Sequence, residues 1–160
     1  MAKSTKVNKK KTAKKNLSVV DALRTVVADC YALMGQTHLC HWNVEGPSFF
    51  ALHTAFEEQY TELFTAVDEV AERVRALGSY APGGLSNLAA MAGMKELPEK
   101  SPAEKMVQHL ATLHAKLIAD AKTARDLAAD VEDKETEDLM IGRIEVHQKT
   151  LWMLESYLKG

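Results

Sequence analysis

Five side chains between His41 and Glu72 carry the chemistry available to this chain. His41 stands in the run His41-Trp42-Asn43-Val44-Glu45-Gly46, His53 is followed four positions on by Glu57, and Asp68 is followed four positions on by Glu72. Imidazole nitrogen combined with carboxylate oxygen suits a borderline-hard divalent metal such as iron, whereas a thiolate-rich set would point to zinc or copper. Residues at i and i+4 share one face of a helix, so 53/57 and 68/72 each read as a ligand pair one turn deep.

These pairs must be placed by helices. From Phe49 to Leu77 the apolar residues Phe49, Leu52, Phe56, Tyr60, Leu63, Val67, Val70, Val74 and Leu77 recur in steps of three and four, the period of a bundle helix. At about 100° per residue they fill an arc of roughly 100°, and His53, Glu57, Asp68 and Glu72 lie on a neighbouring arc centred about 120° away. Phe50, Phe64 and Ala71 share that second arc, which predicts a second buried face covered by another subunit. Glu58, Glu62 and Glu69 fall on the remaining, exposed side. His53 and Asp68 are separated by about 22 Å along the axis, too far to share one ion. A second copy of the helix packed antiparallel across a two-fold axis would bring His53 and Glu57 of one chain opposite Asp68 and Glu72 of the other, giving two equivalent sites. His41, at the end of a preceding helix, would complete each.

That preceding helix is expected from Ser18, a capping residue with Asp21 three positions on, to about Asn43, with Val19, Leu23, Val26, Cys30, Leu33 and Thr37 inward. Gly46-Pro47-Ser48 separates it from the second helix, which Gly78 ends. Residues 79–100 hold Pro82, Gly83, Gly84, Gly93 and Pro98, too long a connection for a tight turn, with room for a short helix at Leu85 to Met91. A third helix starts at Pro102 with Met106, Leu110, Leu113, Leu117, Ala121 and Ala124 on one face. After an acidic turn, a fourth runs from about Glu135 to Leu158 with Met140, Ile144, Leu151, Leu154 and Leu158 inward. The expected fold is all-α: a ferritin-like four-helix bundle over residues 17–160, with a long crossover containing a short helix between its second and third helices.

Composition agrees. A chain of 160 residues with 46% hydrophobic content is one domain of ordinary size, and few aromatics with abundant Ala, Leu, Glu and Lys favour helix. Residues 1–16 contain Lys3, Lys6, Lys9, Lys10, Lys11, Lys14 and Lys15 and no acid, and are expected to form a disordered arm. Setting these seven aside leaves 13 basic against 22 acidic residues, a body of charge about -9. The N-terminus has neither the apolar region of a secretory signal nor the arginines of a mitochondrial presequence, so a cytosolic protein is expected. Cys30 and Cys40 lie about 15 Å apart along one helix and are expected as buried free thiols.

The segment His41-Trp42-Asn43-Val44-Glu45-Gly46-Pro47-Ser48-Phe49-Phe50-Ala51-Leu52-His53, with Asp68-Glu69-Val70-Ala71-Glu72-Arg73, resembles the signature of the Dps family, the DNA-binding proteins from starved cells. The resemblance extends over about residues 17–158. It implies a hollow dodecamer of ferritin-like subunits, built from two-fold dimers, that oxidises Fe(II), preferentially with hydrogen peroxide, and stores the ferric mineral. It implies intersubunit ferroxidase ligands at His41, His53, Glu57, Asp68 and Glu72. The family often has Asp where this chain has Glu57, and the adjacent Glu58 is the alternative ligand. It further implies an iron-entry pore lined by the acidic run Asp130, Glu132, Asp133, Glu135, Glu137 and Asp138, although a solvated turn carries the same residue types.

Trp42, beside a ligand, is placed to intercept stray oxidising equivalents; the simpler expectation is that Trp42 and Trp152 are packing anchors. His38, His109, His114 and His147 are given no role. The leading expectation is a ferroxidase and iron-storage cage, nucleoid-associated in the cytoplasm, whose lysine arm binds DNA without sequence preference. The alternative is a nucleoid-compacting protein whose metal site is vestigial or filled by zinc or another divalent ion, and intact residues at all five positions favour the first. A single-bundle di-iron enzyme is disfavoured, because no histidine has a Glu three residues before it.

Overall fold

The computed structural model describes residues 17–160, and every element among them is helical. The first helix, α1 (Val19–Asn43), begins where its capping chemistry directs. Ser18 Oγ accepts from the Asp21 N–H at 3.1 Å while the Ser18 N–H donates back to the Asp21 carboxylate, a reciprocal box that satisfies two donors no helical bond can reach. Its stripe buries Leu23, Val26, Cys30, Leu33 and Thr37. Gly46, at φ +105°, makes the bend that lets α2 (Phe49–Ala76) return along α1, a backbone angle costly to any residue with a Cβ. The crossover contains α3 (Leu85–Ala92), closed by Gly93 in the left-handed conformation. Then come α4 (Ala103–Asp130) and α5 (Lys134–Tyr157).

Cross-helix contacts define the directions. His41 meets His53 and Arg24 reaches Tyr80, so α1 and α2 are antiparallel. Lys116 bonds Asp29 and His109 bonds Gln36, so α4 is antiparallel to α1 and therefore runs the same way as α2. A chain linking two helices of the same direction must travel the length of the bundle. That is why residues 77–102 are long, and α3 packs against α1 on the way. The expected short helix and crossover are both present.

The core is continuous through α1, α2, α4 and α5, but the pairings are unequal: α1 packs closely on α2 and α4 on α5, whereas α2 and α5 scarcely touch. Where they do meet, polar groups serve, Glu62 with Arg143 and Arg73 with Asp133. Cys30 and Cys40 are buried free thiols, and desolvation pushes both up to about 12, so they are inert as nucleophiles. The two tryptophans depart from expectation: Trp42 is 70% and Trp152 63% exposed. Neither anchors the core of its own chain, because each lies off the apolar stripe of its helix. No helix among the described residues is long and apolar enough to cross a membrane.

Candidate metal centre

The hairpin between α1 and α2 brings the last turn of one helix against the first turns of the next, and with them His41 and His53. The His41 Nδ1–H donates to the His53 carbonyl at 2.8 Å, and the His53 Nδ1–H donates to the His41 carbonyl at 2.9 Å. Carbonyl oxygen can only accept, so both rings must carry hydrogen on Nδ1. In the neutral imidazoles this leaves the Nε2 lone pair free on each, the tautomer a metal ligand needs. The rings stack with centroids 3.7 Å apart and 19° between planes, so they are held as a unit. Phe49 stacks on His53, and Tyr60 sets its edge against His41. His41 is buried and His53 half-buried. The hydrogen bonds that orient both rings come from backbone carbonyls, so they depend on the hairpin's geometry, and Phe49 and Tyr60 pack the rings in place.

Glu57 follows one turn beyond His53 on α2 and is exposed; so are Asp68 and Glu72, further along the same helix. The structure brings His41 and His53 together and leaves Asp68 and Glu72 apart from them. Among the described residues no group of three or more His, Cys, Asp or Glu side chains is close enough to hold an ion. The axial spacing keeps Asp68 and Glu72 from His53 within one chain. On the same face, Phe50, just before the first pair, is 83% exposed, and Phe64, between the two pairs, is 69% exposed. Two phenyl rings left in water among carboxylates are costly, since a fully buried Phe is worth about 2 kcal/mol.

Arg73, next to Glu72, turns the other way. Its Nη2 pairs with Asp133 at 2.6 Å and its Nε–H donates to Thr136 Oγ1 at 2.8 Å, tying the end of α2 to the start of α5. Asp133 also caps α5 by accepting from the Thr136 N–H. Partial burial opposes its ionisation, but the Thr136 bonds and the Arg73 charge together hold its carboxyl below the usual range. Of the acids expected at a pore, Asp133 is therefore committed to the fold of its own chain, while Asp130, Glu132, Glu135 and Asp138 are exposed and Glu137 bonds Lys134. Lys3, Lys6, Lys9, Lys10, Lys11, Lys14 and Lys15 lie outside the described residues.

The histidines given no role turn out to be placed. His38 stacks between Trp42 and Tyr60, His109 bonds Gln36, and His114 bonds His147 in the interior. The last pair was legible in principle: His114 follows Leu110 by four and His147 follows Ile144 by three, on the apolar stripes of α4 and α5.

A bundle with a bundle-length crossover, whose imidazole pair sits at one end of α2 and whose acids sit far along the same helix, is a mini-ferritin architecture. The ferritin-like domain model matches residues 20–160. The DNA protection during starvation protein 2 of Bacillus anthracis is 34% identical over 89% of this chain and 98% of its own. The Dps of Staphylococcus aureus superposes with a TM-score of 0.84 at 36% identity, over 88% of this chain and 94% of that one. A Dps from Vibrio cholerae, described as one of the ferritin-like diiron-carboxylate proteins, gives 0.84 at 31% identity over 88% of each. The chain belongs to the Dps family of ferritin-like proteins.

Proposed function

We propose that two copies of this chain pair through the ligand face of α2, so that His41, His53 and Glu57 of one and Asp68 and Glu72 of the other bind iron as substrate. The carboxylates favour Fe(III) over Fe(II) by charge, and the few protein donors leave positions open for an oxidant. With hydrogen peroxide, two Fe(II) each give one electron, the O–O bond accepts the pair and breaks, and protons leave as hydrated ferric oxide forms. Peroxide and ferrous iron are thereby consumed together without releasing hydroxyl radical. The ferric product is stored in a closed homo-oligomer, a dodecamer built from such dimers. The lysine arm binds DNA through phosphate contacts in the cytoplasmic nucleoid.

The observation that carries this reading is the His41–His53 pair, two imidazoles whose backbone bonds leave both Nε2 atoms free on a face that no described residue of the same chain completes. The neighbours named for DNA protection and the diiron-carboxylate superfamily support the substrate and the partner.

The test mixes two inactive variants, His53→Ala and Asp68→Ala, and reassembles them. Each mixed dimer then regains one intact site, so peroxide-dependent Fe(II) oxidation should return in part. Verified mixed dimers without activity would refute the intersubunit site. Zinc competes for the same donors and should inhibit in proportion to its occupancy.

A further inference from the structure

The interior of the bundle holds a second imidazole pair that the metal reading does not use. His114 of α4 and His147 of α5 are 2% and 1% exposed, and their Nδ1 atoms lie 3.0 Å apart. One Nδ1 must donate and the other accept, so the rings are opposite tautomers, and the outward Nε2 atoms are one acceptor and one donor. Neither Nε2 has a hydrogen-bond partner among the described residues. Beside them, Arg143 is 7% exposed, bonded to Glu62 through Nη2 and unpartnered at Nη1. Because α2 and α5 scarcely touch, a cavity of about 330 Å³ opens between them and reaches His114, with Gln59, Glu58, Glu62 and Lys149 also on its wall. A water molecule occupies about 30 Å³ in the liquid, so this slot has room for several.

We propose that His114 and His147 form an acid-sensitive latch: protons entering through the α2/α5 slot put positive charge beside Arg143 and loosen the α4–α5 hairpin. The first proton adds to the free Nε2 lone pair and keeps the Nδ1–H to Nδ1 bond. The second has only the accepting Nδ1 left, and two N–H groups then face each other, so the bond is lost. A metal ion does not fit as the occupant between the rings, since their facing nitrogens are aligned as donor and acceptor rather than converging on a third point.

The surrounding charges sharpen the response. α1 presents Cys30, and near it Asp29, which is held by Lys116. α2 presents Glu58 and Glu62, the latter already spent on Arg143, and α5 presents Arg143 and Lys149. Of these acids Glu62 is spent on Arg143 and Asp29 on Lys116, and Glu58 lies exposed on the slot wall, where water screens it from an interior imidazolium. Desolvation depresses both imidazoles well below their usual range, and the His114 and Arg143 charges lower His147 further. The fold rejects the charged forms, so their contribution to stability is complete above about pH 6.5 and is lost as pH falls below it. Each ring then costs up to about tenfold in the folding equilibrium per pH unit, and the two together about a hundredfold.

The experiment follows urea unfolding of the full chain between about pH 7 and 5 for wild type, His114→Asn, His147→Asn and the double variant; Asn keeps a polar group near the Nδ1 position and does not titrate. Each single variant should lose about tenfold of the wild-type pH dependence per unit, and the double variant about a hundredfold per unit. Unchanged steepness in the double variant overturns the latch. If the double variant does not fold, unchanged steepness in the singles overturns it equally. Imidazole resonances give an independent measurement in the wild type: two should stay neutral at pH 5.5, and titration of either buried ring near its ordinary value of about 6.5 refutes the proposal.

Discussion

Replacing Asp29 by Asn should make this protein more stable above neutrality and leave it little changed near pH 4. Asp29 belongs to α1, its side chain fully buried, with Oδ1 2.7 Å from Lys116 Nζ and Oδ2 without a donor. Lys116 is shared, lying 2.8 Å from Asp120. Desolvation and then the adjacent Asp120 raise the Asp29 carboxyl from 3.8 to about 7, against the pull of Lys116. A carboxyl raised in the fold contributes most below its unfolded value and loses that contribution as pH rises to the folded one. The window is therefore 3.8 to about 7. About three units at roughly 1.4 kcal/mol each give an upper limit near 4 kcal/mol. Asp120, whose carboxyl the Asp29 and Lys116 bonds lower despite desolvation, acts below that window and does not cancel it. Asn keeps the shape, accepts from Lys116 and offers Asp120 the hydrogen that a protonated Asp29 would. Urea unfolding at several pH values should show the variant gaining on wild type by roughly 1.4 kcal/mol per unit from pH 4 to 7, then a plateau. A difference independent of pH would refute the reasoning.

Phe64→Glu should leave the helical content of the subunit intact, because the ring touches water rather than core, but should abolish assembly and iron oxidation together; a native-size particle by light scattering would contradict the paired-helix face. Deleting residues 2–16 should abolish the DNA gel shift and its steep salt dependence while sparing iron oxidation, since every proposed ligand lies beyond the deletion; an unchanged shift at low salt would remove the arm from the account.

What was legible in the sequence, and what was not, follows from the range of each interaction. Helix limits depend on neighbours three or four residues away, so Ser18 with Asp21, the Phe49 to Leu77 stripe and the glycines at 46, 78 and 93 announced the elements, and the crossover followed from its length. The two candidate ligand pairs on α2 were equally visible, because period alone puts 53 with 57 and 68 with 72 and keeps the pairs apart. The bonds that orient His41 and His53 were hidden, as they cross a hairpin whose closing angle depends on Gly46 and on packing far from either ring.

Buried polar residues went unread for a related reason. Asp29, His114 and His147 occupy apolar-stripe positions, yet their types suggest a surface. Their placement has opposite consequences across mildly acid pH. The histidine pair weakens the fold as protons are added, by up to two per molecule, while Asp29 strengthens it by one. Between about pH 4 and 6.5 the pair outweighs the single carboxyl, and the wild type should lose stability on acidification with a net slope near one proton. Removing Asp29 should steepen that loss and removing both histidines should reverse its sign. This crossed behaviour ties the two buried clusters to one pH profile, and a wild-type profile flat over that range, unaltered by either change, would contradict both assignments.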